Sequence, residues 1–340
     1  MKLNKTLTTL IAGAAFGLSG QVMAVGTEAG TPISNTATLS YTVNSSTVNN
    51  SSDVAEFEVD RKIDLTLTDN SGASLSAAAG STQRLTFSLS NQGNADTFFQ
   101  LQSTATSPQF YLTSDNSPIT DNVLSILKDD PAVSFYIDVA IPDNAADGST
   151  ASFEVAAKAV ADAAGTALSI PTGDKNANLT GQIFIVYAES VADNGLTLAG
   201  GTDRDGGFAR QSDVTVSAPE LTGTKTVTVL NSTITDSNNE TFTTNYAIPG
   251  ATVEYKVVIE NTGSEDAQGV SFIDDLSAKT EFDQSSIANI TVLDNSDTAL
   301  TVNTDYTVVN DGTTDGIVNI SLPDITSGEQ VTVSFEVTIQ

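Results

Sequence analysis

The stretch from 193 to 213 is where the residue types and spacing of this chain come closest to chemistry. Asp193-Asn194-Gly195 is followed by Gly201-Thr202-Asp203-Arg204-Asp205-Gly206-Gly207, with Asp213 beyond. Asp203 and Asp205 place carboxylates at alternate positions of a glycine-assisted turn, the hard oxygen donors that calcium takes. Asp193, Asp203, Asp205 and Asp213 are therefore the candidate metal ligands, with calcium as the candidate cofactor. The stretch lacks the further ligands and the closing bidentate Glu of a helix–loop–helix calcium site, and Arg204 offsets part of its charge. A solvated Asp/Gly turn accounts for the same residues. Further acidic loops lie at 143–147, 294–297 and 311–315, but their Asp-Gly pairs are hairpin-turn signals first. Asp274-Asp275 falls at a strand end. The glycines of 200–207 are no phosphate loop, because neither Lys-Ser/Thr nor a helix follows them.

Most other chemistry is closed to the chain. It has 340 residues and contains no His, Cys or Trp. Serine and cysteine hydrolase triads, thiol chemistry, disulfides, iron–sulfur clusters and His/Cys zinc sites are excluded with those residues. A glycosidase would need two opposed carboxylates, one with a raised pKa, and nothing in the sequence singles out such a pair. The reading is therefore of a protein that is not an enzyme. The formal charge is 13 − 42 = −29, with 29 Asp against 13 Glu. Such a surface repels phosphate backbones, so nucleic acid is not an expected partner.

The N-terminus reads as an export leader over 1–24. Lys2 and Lys5 precede an apolar run from Leu7 to Leu18, and Val22-Met23-Ala24 supplies the −3 and −1 residues of a cleavage site. That run is too short to span a bilayer, and no later segment is long and apolar enough to do so. The processed chain would carry 11 − 42 = −31. The expected location is extracellular or on the outer cell surface, with the periplasm as the alternative.

The elements that must position these residues are strands. Apolar and polar residues alternate in Ala37–Val43, Ile63–Thr68, Leu85–Leu89, Ser134–Val139, Val253–Ile259 and Val331–Val337, each bounded by turn residues. Only Asp121–Asp130 has the look of one or two helical turns, ended by Pro131. An internal repeat organises the chain. Gly80, Thr82, Asn91, Gly93 and Asp96 recur as Gly250, Thr252, Asn261, Gly263 and Asp266, at a constant offset of 170. A second block pairs Ile141-Pro142-Asp143, Gly148 and Phe153-Glu154-Val155 with Leu322-Pro323-Asp324, Gly328 and Phe335-Glu336-Val337. The Asn-x-Gly motif is expected to turn one strand back onto the next, Thr97–Leu101 or Gly269–Ile273, using positive φ.

The expected organisation is a β segment over 25–62, a first sandwich over 63–218 and a second over 219–340, hinged near 217–223. The 25–62 segment reads as a hairpin of Thr36–Val43 with Val54–Val59. Having no core of its own, it must complete the first sandwich or be donated to a neighbouring subunit.

At Pro249–Leu276 the chain resembles a bacterial conserved-repeat family, number eleven in the series of domains of unknown function. The resemblance rests on Asn261-Thr262-Gly263, Asp266, Gly269-Val270 and Asp274-Asp275-Leu276, and extends to the opening Gly30–Val43. It implies immunoglobulin-like sandwiches on surface or secreted proteins, and no catalytic residues. The fold class is accordingly all-β, tandem immunoglobulin-like sandwiches with an N-terminal β segment. The function expected is structural or adhesive, at the cell surface or in an extracellular matrix, with other surface or matrix proteins or further copies as partners. The alternatives are a calcium-dependent module binding glycan or protein, and a fibre subunit assembled by strand donation.

Overall fold

A computed structural model of the chain describes residues 26–51, 53–169, 183–189, 196, 198, 204–231, 233–235, 241–243 and 245–340. The expected leader lies outside the described residues. The protein is all-β, and two separate cores divide its sandwiches.

The first element is a two-stranded ribbon. Strands β1 (Pro32–Asn35), β2 (Thr38–Val43), β3 (Ser46–Ser51) and β4 (Ala55–Glu58) pair as nested hairpins, β2 with β3 and β1 with β4. The expected partnering of Thr36–Val43 with Val54–Val59 is thus corrected. Asn44 and Ser45 hold φ of 48° and 68°, so the chain reverses there in a two-residue turn of the kind that matches strand twist. Thr38 then falls opposite Ser51 and Val43 opposite Ser46.

The first sandwich comprises β5 (Arg61–Ile63), β6 (Leu65–Asp69), β7 (Leu75–Ala78), β8 (Thr82–Asn91), β9 (Thr97–Ser103), β10 (Phe110–Leu112), β11 (Val123–Ile126), β12 (Val133–Ala140), β13 (Thr150–Val160), β14 (Ile185–Tyr187) and β15 (Gly207–Ser217). One sheet runs β10-β12-β8-β6, the other β11-β9-β13-β15-β7, and β14 pairs in parallel with β5. Alternation supplies the core between them. Leu65, Leu67, Leu85, Phe87, Leu89 and Phe135 are fully buried. Phe87 stacks on Phe135 at 5.9 Å, and Phe110 meets Phe135 edge-on at 5.7 Å, the offsets that aromatic quadrupoles favour. The expected helical turns at 121–130 reduce to a single 3₁₀ turn at Thr120–Asn122. Beyond it Leu124 and Ile126 alternate inward as β11, because burying them in a sheet outweighs local helix preference.

The second sandwich comprises β16 (Leu221–Asn231), β17 (Thr233–Thr235), β18 (Thr241–Thr243), β19 (Thr252–Asn261), β20 (Ser271–Asp275), β21 (Phe282–Leu293), β22 (Thr307–Asp311), β23 (Ile317–Ser321) and β24 (Gln330–Ile339). Its sheets run β16-β19-β24-β21 and β20-β23-β22, with β17 paired to β18. Val318, Ile320, Val333, Phe335 and Val337 form the centre of its core.

Strand registers fix the repeat. Leu85 opposes Ile137 and Leu89 opposes Val133 in the first sandwich, while Tyr255 opposes Phe335 and Ile259 opposes Val331 in the second. Hence β19 is β8 displaced by 255 − 85 = 170, and β24 is β12 displaced by 335 − 137 = 198. The first sequence block is therefore a structural repeat. The second is not: Phe153-Glu154-Val155 belongs to β13, in the opposite sheet to the one that β24 resembles.

The Asn-x-Gly motif also acts differently from expectation. β8 and β9 lie in different sheets, as do β19 and β20, so the motif is a corner between layers rather than a hairpin turn. Asn261 is fully buried; its amide donates to the Glu265 and Ile325 carbonyls at 2.8 and 2.9 Å, and its side-chain oxygen accepts the Gly263 and Glu220 N–H groups. Asn91 donates likewise to Ala95 and Ile126 and accepts from Gly93. Glycine is needed for close approach. A Cβ on Gly263 would lie 2.3 Å from the Ala218 carbonyl oxygen, and one on Gly93 2.5 Å from that of Lys62. Each corner thus clasps the strand that enters its own sandwich, with Thr262 and Ser264 N–H bonding the Glu220 and Ala218 carbonyls as Gln92 and Asn94 bond those of Asp64 and Lys62.

Candidate functional site

The four candidate ligands do not all fall within view. Asp193 and Asp203 lie outside the described residues. Asp205 accepts the Gly207 N–H at 2.8 Å within its own turn, and its other oxygen stands 4.0 Å from the Lys158 ammonium. Asp213 is exposed in mid-strand on β15, where Ser152 and Gln211 donate to one carboxylate oxygen at 2.7 and 2.8 Å. Those bonds hold its carboxyl below the usual range. Asp213 sits six residues beyond Gly207, roughly 20 Å along the extended strand, so Asp205 and Asp213 do not share a coordination shell. Among the described residues no group of three or more Asp or Glu is arranged to hold an ion.

Asp275, Asp294, Asp311 and Asp315 are satisfied within their own turns. Asp275 accepts from Ser277, Asp294 from Ser296 and Thr298, and Asp311 from Thr313, the local turns that Asp favours. The hydroxyl and backbone donors lower the carboxyls of Asp275 and Asp311.

A buried carboxyl that the sequence does not announce stands beside Asp205. Glu189 is only 1% exposed; one oxygen accepts the Gly206 N–H at 2.8 Å and the other, also buried, has no partner among the described residues. Burial pushes its pKa up, and the charges of Asp205 and Asp64 add to the rise against the Gly206 bond. The Tyr187 hydroxyl is likewise raised, by burial first and then by Glu189 and Asp205. Gly206, at φ +81°, lies so close over the Tyr187 ring that a Cβ would sit 2.6 Å from it. Tyr187-Ala188-Glu189 reads in sequence as an ordinary strand end, and no spacing signal marks it.

The largest uncovered features are the ribbon and one side of the second sandwich. Period-two alternation sorts the β2–β3 ribbon into one face that holds Leu39, Tyr41, Val43 and Val48 together with Ser46 and Asn50, and a second face made wholly of Ser, Thr and Asn. All four apolar side chains are exposed, Leu39 to 66%. The ribbon joins neither sheet of the first sandwich and is tied down at its base, where Ala29 N–H donates to the Asn94 carbonyl and the Asn94 amide to the carbonyls of Thr27 and Asp60.

The second sandwich is narrower than the first. In the first, β9 is followed across its sheet by β13, β15 and β7, and β15 packs against β6. In the second, β20 takes the place of β9 and is the last strand of its sheet among the described residues. The strand β16, which corresponds to β6, is consequently exposed along nearly its whole length, with Val227 at 57%. Among the described residues a charged contact spans the gap between the layers: Lys225 of β16 pairs with Asp274 of β20 and lies 4.4 Å over the Tyr255 ring.

No family model and no curated protein matches the chain. Among solved structures, the C-terminal domain of the Streptococcus agalactiae AgI/II polypeptide BspA aligns with 82% of this chain and 91% of that one, at 9% identity and a TM-score of 0.33.

Proposed function

We propose that the chain is an exported, non-catalytic structural or adhesive protein of the bacterial cell surface or extracellular matrix. The observation that carries this reading is the ribbon, an uncovered apolar face held away from two tandem sandwiches. A solvent-exposed apolar surface of this kind serves contact with another molecule rather than the stability of the chain that bears it. The leader-like N-terminus and the resemblance of Pro249–Leu276 to surface repeats support the location. Electron microscopy of the native cell surface with tagged protein tests it. Label on the surface or in surrounding matrix is expected; label confined to the cytoplasm overturns the reading.

A calcium-dependent binding module is the second reading, and one observation favours it. Glu189, one oxygen of which has no partner among the described residues, feels the charge of Asp205, at the end of the stretch that also contains Asp193 and Asp203. A calcium titration followed by thermal melting tests this reading. A rise of several degrees supports specific ligation, and an unchanged Tm removes it.

A further inference from the structure

The ribbon and the open side of the second sandwich are complementary, and the geometry points to one occupant: the β2–β3 ribbon of one copy fills the gap in the second sandwich of the next. This inference rests on the structural reading above and names its partner as a second copy of the chain.

Four features argue for it. The gap next to β20 is where the first sandwich has β13, β15 and β7, and the ribbon supplies strands for the two positions next to β20. Strand lengths agree, with six residues in each of β2 and β3 against five in β20. The ribbon is one-sided: Leu39, Tyr41, Val43 and Val48 would cover Val227 and the half-buried Tyr255 and Ile259, leaving the Ser/Thr/Asn face in water. Finally, residues 32–51 contain no charged side chain, although the chain as a whole carries −29. Edge strands that must stay unpaired carry charge, Pro or a bulge, and β2 and β3 carry none of these. An uncharged ribbon also avoids repulsion from an acidic neighbour.

The docking is β-augmentation: one ribbon strand adds to the free edge of β20, and the Lys225–Asp274 contact rearranges to admit it. Donor and acceptor surfaces differ, so the contact is heterologous and propagates head to tail into an open filament.

The test is complementation in the exported full-length protein. Wild type is expected to sediment as a ladder of species above the monomer. A donor-dead variant, Leu39→Asp with Tyr41→Asp, and an acceptor-dead variant, Val227→Asp, are each expected to lose all species above the monomer. Mixed in equal amounts, they are expected to form a dimer that grows no further, since each retains one working surface. All three positions are exposed, and unchanged thermal melts would establish that both variants fold. Adding Val48→Cys to the acceptor-dead chain and Tyr255→Cys to the donor-dead chain should trap the mixed dimer as a disulfide, there being no native cysteine. A monomeric wild type, unchanged assembly in either variant, or a mixture without dimer overturns the inference. Monomeric protein that still labels the cell surface overturns this inference alone and leaves the surface reading standing.

Discussion

Ser264 donates its hydroxyl to the carboxylate of Asp147, joining the Asn-x-Gly corner of the second sandwich to the Asp-Gly turn that precedes β13 in the first. The same carboxylate accepts the Ala218 N–H at 2.8 Å, and Ser217 donates to Glu265 at 2.7 Å. The chain between the sandwiches, where a hinge is expected at 217–223, is thus hydrogen-bonded to both of them. Donors from Ser264 and Ala218 also keep the Asp147 carboxyl below its ordinary range.

Removing that junction should uncouple the two bodies without unfolding either. In an Asp147→Ala, Ser264→Ala double variant, small-angle scattering is expected to show a broader distribution of overall lengths while far-ultraviolet dichroism stays the same. An unaltered scattering profile would show that the seam is held by something else.

The glycine corners should be intolerant of even one methyl group. Gly263→Ala places a Cβ 2.3 Å from both the Ala218 oxygen and the Glu220 nitrogen, which are backbone atoms and cannot swing aside. A loss of about 1–3 kcal/mol from the second sandwich is expected in urea titration. Gly93→Ala should do the same to the first through the Lys62 oxygen.

Asn261→Ala should be more damaging than its size implies. It strips the side-chain partner from the Gly263 and Glu220 N–H groups and from the Glu265 carbonyl, and leaves the Ile325 carbonyl with the Ala267 N–H alone, around a fully buried position. Each buried polar group left unpaired costs about 1–3 kcal/mol, so a loss of about 3 kcal/mol is expected even after partial relaxation. Chemical denaturation followed by tyrosine fluorescence measures it, and a near-neutral variant would refute the role assigned to this amide.

Glu189 gives a pH dependence of known sign. Its folded pKa is raised above the ordinary carboxylate value, chiefly by burial. Its contribution is thus fully favourable below the unfolded pKa and is lost as pH rises through the folded one. Glu189→Gln should therefore raise Tm at neutral pH and flatten the fall in stability above the carboxylate range. If calcium is the natural partner of this carboxylate, the same variant will instead lose any calcium-dependent rise in Tm.

Much of this architecture could be read in the residues, and the places where reading failed share a cause. Alternation marked Leu85–Leu89 and Val253–Ile259 as strands because one face of each must be buried. The 170-residue repeat emerged because both corners need Asn for buried amide bonds and Gly for close approach. Alternation does not say which sheet a strand joins, so Phe153-Glu154-Val155 and Phe335-Glu336-Val337 looked equivalent although they occupy opposite layers. The ribbon register was missed because Asn44-Ser45 is a weaker turn signal than Asn-Gly, yet both residues adopt positive φ. Glu189 carries no sequence signal because its burial is produced by tertiary neighbours, and spacing in sequence gives no hint that a straight strand separates Asp213 from Asp205.

The order β16-β19-β24 has a mechanical meaning. β16 and β24 both run antiparallel to β19, so they run parallel to each other on its two sides. Leu221 lies opposite Asn261 at one end of that trio, and Thr338 lies opposite Thr252 at the other. Tension applied between the start of β16 and the end of β24 therefore acts along the strands. Its load is shared by the whole ladder of backbone bonds at once, instead of opening them one after another. The second sandwich is loaded in shear, the orientation in which a sheet resists pulling best.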